Sequence, residues 1–474
     1  MISSWVTEEL NGIDIGDKRL NTRIMHLLSA ASKQPEMSLN KMFHTRGEVQ
    51  ACYRFFSNDL VDETKIITPH HNRTFERVKE HPVVLCLSDT TSLNYTTRKT
   101  LKDSGYISSN NAQGFFLHAT IAVTPERLHL GILGQNFWSR EKEKPVRVHR
   151  EHRPLAEKES YRWLEAYIDS CVLAQSCKQS QIVHITDREG DLFEIFAEYQ
   201  SKKEMSTPAH FIVRSNHNRV VYPEQSPCNS LYNELEESKI LAEISFEITK
   251  RKENTTRRVR QSVQALPVTI KSRYGSDKPN VLTSLNAIYL KEIDAPEGEK
   301  PVCWCLLTSL PISSLEEIKS VVEYYLCRWE IEIFFKTYKS GCKVEEKSLR
   351  SSERLYPLFS LLLIVAWRVN YLLHMGRVAP EMSCEVFFDA SEWKAGYIAA
   401  TRQKPPPPKP PTMGAMMSYI AKLGGYLGRK NDPKPGPKVM WVGICKLTNY
   451  ADAWDLFGPD TRENAGVFVK KSCA

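Results

Sequence analysis

Residues 324–341 read YYLCRWEIEIFFKTYKSG. Apolar and aromatic side chains dominate the stretch, yet charges recur among them. At the helical advance of about 100° per residue, Arg328, Glu332, Lys336 and Lys339 return to within about 60° of Tyr325 on either side. They predict one polar stripe on a helix whose remaining circumference carries Leu326, Ile331, Ile333 and Phe334. A solvent-facing stripe is the ordinary reading of such a pattern. The apolar surround argues instead for a largely buried helix, which must turn its charges toward a partner charge, a metal ion or a cleft.

Upstream, Ser313-x-x-Glu316 predicts a capping box that opens this helix. Two aspartates follow short apolar strands: Asp89 after VVLCLS (83–88) and Asp187 after IVHIT (182–186). One such Asp alone reads as the cap of the next turn. Two of them together with Glu332 predict three converging carboxylates, which a divalent cation neutralises. Mg²⁺, which takes oxygen ligands and keeps open positions, suits a pair of ions bridging one phosphate. Arg328, as a fork, and Lys339, as a point charge, would then grip phosphates.

The rest of the chain is compatible with that chemistry. Its 474 residues are enough for two to four domains. A hydrophobic fraction of 41% with 25% charged residues fits a soluble globular protein, and the net charge of +8 permits nucleic-acid binding without demanding it. The first residues lack a secretory pattern, and the apolar run 355–367 is shorter than a membrane span and holds Pro357, so it reads as a core helix. Cys171/Cys177 and Cys303/Cys305 have no second pair at zinc-finger spacing, so reduced thiols in a cytoplasmic protein are expected. Residues 1–70 read as a helical domain. Strands and helices alternate from about 82, residues 210–310 are strand-rich, and 376–474 are mainly helical after a stiff KPPPPKPP spacer (404–411). The run Lys250–Arg260 and the Lys/Arg-rich segment 402–438 are expected to add phosphate contacts.

Tyr325-x2-Arg328-x3-Glu332-x6-Lys339, SDTTSLNY around Asp89, DREGD around Asp187 and WCLLTSLP around Trp304 resemble the insertion-sequence-four family of bacterial DNA transposases, in order and spacing. GDKRLNTR, YRFF and AKLGGYL extend the likeness along nearly the whole chain. Leu20 and Phe115-Phe116 depart from the family pattern. The resemblance implies an α/β fold: an RNase H-like catalytic core (71–375) with an inserted β-rich subdomain (about 220–310). A helical N-terminal DNA-binding domain (1–70) and a mainly helical C-terminal dimerisation domain (376–474) would flank it. It implies cut-and-paste transposition with Mg²⁺ or Mn²⁺: nicking, hairpin formation and opening at the element's ends, and strand transfer by a homodimer on double-stranded end and target DNA, away from membranes. Asp89, Asp187 and Glu332 become catalytic metal ligands. Tyr325, Arg328, Lys336, Lys339, Arg214, Arg19 and Arg23 become DNA contacts, and Trp304 stacks on a flipped base. The competing readings are a metal-dependent nuclease without strand transfer and an inactive DNA-binding descendant. The intact carboxylates weigh against the second of these.

Overall fold

The protein is described by a computed structural model over residues 2–459, apart from 44, 99, 102, 109–110, 142–153, 205, 223–228, 251–254, 273–281, 430–431 and 433. Part of the basic run Lys250–Arg260 and three positions of the segment 402–438 therefore lie outside the described residues.

Four helices come first: α1 (Ser4–Glu9), α2 (Lys18–Lys33), α3 (Arg46–Phe55) and α4 (Glu63–Lys79). Their starts are written locally. The Asp17 carboxylate accepts from Arg19 N at the head of α2, and Thr45 and Glu48 close a reciprocal capping box on α3.

Strands β1 (Val83–Asn94), β2 (Gly105–Tyr106), β3 (Gln113–Val123) and β4 (His129–Trp138) form antiparallel ladders, with β1 and β4 on either side of β3. After α5 (Tyr161–Ser176), β5 (Gln181–Thr186) pairs parallel to β1. After α6 (Phe193–Lys202), β6 (His210–Arg214) pairs parallel to β5. Such parallel pairs need helical crossovers, which α5 and α6 supply. The short strands β7 (Val220–Val221) and β8 (Asn229–Ser230) and helix α7 (Leu231–Glu237) lead to β9 (Ala242–Lys250), β10 (Thr255–Lys271), β11 (Leu282–Ile293) and β12 (Cys303–Thr308). The inserted strands do not form a separate sheet. β12 pairs with β6, so a single twelve-stranded sheet runs from the core into the insertion.

Alternation along the strands sorts the two faces. Leu85, Leu87, Val183 and Ile185 enter one core, shared with Ile331, Phe334 and Phe359. Val84, Cys86 and Ile182 enter the other, with Tyr167, Cys171 and Phe196 of α5 and α6. The first core takes the helices after β12: α8 (Leu315–Leu326), α9 (Trp329–Lys336) and α10 (Ser352–Val378). Helices α11 (Ala390–Thr401), α12 (Met413–Leu423) and α13 (Pro437–Phe457) close the chain. A Cβ on Gly443 of α13 would lie 2.0 Å from Ile420 O of α12, so those helices meet where only glycine fits. The end of the polyproline link is tied down, because Cys384 N donates to Pro411 O at 3.0 Å.

Four local expectations are corrected. The capping box on α8 is Ser314 with Glu317, one residue later than expected. β1 does not stop before Asp89 but continues to Asn94, held by the β3 ladder through Asp89↔Ala119 and beyond. The apolar run belongs to a longer helix than expected: α10 has 27 residues and is apolar enough to cross a membrane, yet 94% of its most apolar window is buried, as the core-helix reading requires. The polar stripe does not ride on one uniform helix. Arg328 N bonds to Tyr325 O and Glu330 N to Cys327 O, so the chain tightens between α8 and α9, and a wide π turn (Thr337–Gly341) follows α9.

Candidate active site

The parallel register of β1 and β5 aligns Val83 with Gln181 and Leu87 with Ile185. Carried two residues further, it sets Asp89 beside Asp187. Both share the parity of Leu85, Leu87, Val183 and Ile185, so both face the layer that holds α9. From that layer Arg328 reaches Asp89 and Glu332. Its Nη1 lies 3.7 Å from Asp89 Oδ2 and its Nη2 2.7 Å from Glu332 Oε1. The three carboxylates predicted to converge are thus linked, with a guanidinium between two of them. Their oxygens do not all lie as close together as those of a preformed metal cage; among the described residues only His129, Glu330 and His374 meet that condition. Burial, and then the neighbouring charge of Asp187, pushes the Asp89 carboxyl up to about 7. A carboxylate so disfavoured fits an added cation, which would relieve both causes.

Asp187 opens a short 3₁₀ turn (Arg188–Gly190) and accepts from Glu189 N at 2.8 Å. Gly190 is there because a Cβ would lie 2.5 Å from Thr186 Oγ1 and 2.9 Å from the Trp163 ring. The turn is anchored by Asp191, a residue the sequence reading passed over although it closes the DREGD motif. Buried Asp191 pairs with Arg219 and accepts from Asn216 N at 2.7 Å and His217 N at 3.1 Å. Its partners lie 25–28 residues on, beyond the reach of local pattern.

Around these acids stand several of the expected contacts. Tyr325 is buried, and its hydroxyl is buried with no hydrogen-bond partner. Burial raises its pKa against the opposing charges of Arg214 and Arg328. Trp304 meets Tyr325 edge-on at 5.8 Å and stacks on Phe246 at 5.6 Å. Arg214 Nη2 donates to Cys303 O at 3.4 Å. Lys339 Nζ donates to Ser92 O at 2.7 Å, on the same strand as Asp89. Lys336 is exposed at the end of α9. Arg19 and Arg23 lie on α2, and the Arg19 side chain is 94% exposed.

Among the described side chains of the basic run, the arginines have partners within the protein. Arg257 pairs with Glu292 and Glu299, and Arg260 with Glu243 and Asp294. Arg258 donates to Ser245 Oγ. The sheet that carries these arginines already supplies them with partners.

Comparison with known families divides the chain into three matches. Residues 2–61 match a family described as Transposase DNA-binding, residues 72–368 one described as Transposase DDE domain, and residues 364–456 one described as Transposase Tn5 dimerisation domain. The middle match spans more than half of the chain.

Proposed function

The chain belongs to the DDE transposases, and on that premise we propose that Asp89, Asp187 and Glu332 hold two Mg²⁺ ions, for which Mn²⁺ can substitute, at the ends of its own DNA element. Membership makes the protein an enzyme of DNA cleavage and strand transfer that depends on a divalent metal, binds DNA and dimerises. The metal pair, when bound, would polarise the phosphodiester and lower the cost of the attacking oxygen.

The observation that supports the assignment is the register of β1 and β5, which sets Asp187 beside Asp89, together with the Arg328 bridge, which joins Asp89 to Glu332. Arg328 serves as the counter-charge of the metal-free site and turns its fork to a phosphate when metal takes over the carboxylates. Lys339, held beside β1, contributes a second positive contact. The Tyr325 hydroxyl gains in the complex the hydrogen-bond partner it lacks. Lys336 and Arg214 flank this surface, while Arg19 and Arg23 grip the duplex from α2. Trp304 receives a base turned out of the stack, which relieves the tight backbone turn of a hairpin at the cut end. Phe246 and Tyr325 brace its indole.

The test is incubation of the protein with Mg²⁺ and linear DNA bearing the element's own ends. Nicks followed by hairpins are expected. Asp89→Ala, Asp187→Ala and Glu332→Ala should each abolish both products while end binding in a gel-shift assay persists. Substantial metal-dependent nicking by one of the three would remove that residue from the catalytic set.

A further inference from the structure

Glu332 has a neighbour two residues back with a different environment. Glu330 is 1% exposed and lies with His129 at the start of β4 and His374 near the end of α10. Both imidazole Nε2 atoms address one oxygen. His129 Nε2 is 3.2 Å and His374 Nε2 is 3.4 Å from Glu330 Oε2, and the two rings stack at 5.1 Å. The side chains of all three are 5% exposed or less.

We infer that His129, Glu330 and His374 form a structural zinc site, separate from the catalytic carboxylates, that fixes α9 against β4 and α10. Two observations favour an ion over a set of plain hydrogen bonds. Charge-assisted N–H···O contacts run at about 2.7–2.9 Å, and both contacts here are longer. Ligands about 2.1 Å from a tetrahedral zinc are separated by about 3.4 Å, which matches the distances found.

The surroundings suit a closed site. Arg127 Nη1 holds the other carboxylate oxygen at 3.3 Å, which leaves Oε2 for the ion. Trp367 Nε1 donates to His129 O at 2.9 Å and fixes that backbone. Two nitrogens and one oxygen leave a fourth tetrahedral position. Cys327 stands in the same tight turn as Glu330, and its Sγ is 3.5 Å from Pro125 O in the loop that leads to Arg127 and His129. Its Sγ, which also donates to Glu323 O at 3.5 Å, lies outside the group of three, so water would take the fourth position. Glu330 and Glu332 are both on α9, so an ion here would hold the catalytic glutamate's helix without entering the reaction.

Full-length protein without a polyhistidine tag is stripped with EDTA, reloaded with zinc chloride and passed through gel filtration. Metal content and thermal unfolding are then measured. About one zinc per chain is expected in the wild type and equally in the Asp89→Ala/Asp187→Ala double variant, with a raised Tm in both. His374→Gln should hold none and show no zinc-dependent rise. Zinc lost from the double variant, retained by His374→Gln at the wild-type ratio, or absent from the wild type would each overturn the site. If His374→Gln does not fold, Glu330→Gln and His129→Gln carry the same comparison with the same two outcomes. None of these readouts depends on DNA cleavage, so they stand or fall apart from the transposase assignment.

Discussion

Arg328 explains why a buried helix keeps a charge. With a side chain 14% exposed, it sits where two carboxylates would otherwise repel, and it meets both. On the proposed function, Trp304 would have a separable task at the same scale. First-strand nicking precedes the backbone turn of a hairpin, so an aromatic acceptor for a displaced base matters only afterwards. Its stacking contributes roughly 1–3 kcal/mol, about a ten- to hundredfold effect on the dependent step. Trp304→Ala should therefore accumulate nicked ends with few hairpins, and Trp304→Phe should retain part of the hairpin yield. Were Trp304 only packing against Phe246 and Tyr325, Ala would cost roughly 3–5 kcal/mol of stability. Nicks, hairpins and melting temperature would then fall together.

Individual elements are locked by buried charge as well as by apolar contact. Glu9 of α1 accepts from His70 Nδ1 at 2.5 Å and twice from Arg77 at 3.0 Å, both on α4. His70 Nε2 accepts from Ile132 N, so its proton sits on Nδ1 and points at Glu9. Burial alone would push the Glu9 carboxyl up, but His70 and Arg77 outweigh it and hold it at about 2, against 4.5 when unfolded. A carboxyl depressed by folding stabilises above its unfolded value and loses that contribution as pH falls from 4.5 toward 2. The amount is on the order of 3 kcal/mol. Glu9→Gln should lower unfolding stability by about that much at neutral pH, and by far less in acid near pH 2. A loss of equal size at both pH values would show that shape, not charge, is what the mutation removes.

Across the whole molecule, the question is which positive surfaces meet the duplex. Arg257 and Arg260 of the inserted sheet are paired with acids of the same sheet, whereas the Arg19 side chain on α2, though 3.5 Å from Asp17, is almost fully open to solvent. Each phosphate contact adds about 0.9 to the slope of log affinity against log salt. Arg257, Arg258 and Arg260 replaced together by Ala should change that slope by less than about one unit. Arg19→Ala with Arg23→Ala should lower it by about two. Fluorescence anisotropy on end DNA over a range of salt separates the two surfaces, and the reverse ranking would place the insertion on the duplex.

Short-range regularities made most element types readable from the chain, along with the grouping of Asp89, Glu332 and Arg328 that the structure brings together. Hydrophobic alternation sets strand faces, capping residues set helix starts, and Tyr325, Arg328, Glu332 and Lys339 are spaced within a few turns of one another. Longer segments carried the family resemblance, on which the roles of Trp304, Arg214, Lys336, Arg19 and Arg23 rested. Even locally, some detail was lost. The tight turn before α9 and the π turn after it are not encoded by spacing alone; in the fold α9 lies against β1 and the π turn against α10. What required the folded chain was everything joined across distance. Asp191 finds Arg219 through the turn after β6, the inserted strands join the core sheet through β12 and β6, and Glu330 meets His129 and His374. The separation of 201 positions from His129 to Glu330 leaves no periodic signal, because only the sheet and the helices packed on it bring the two together.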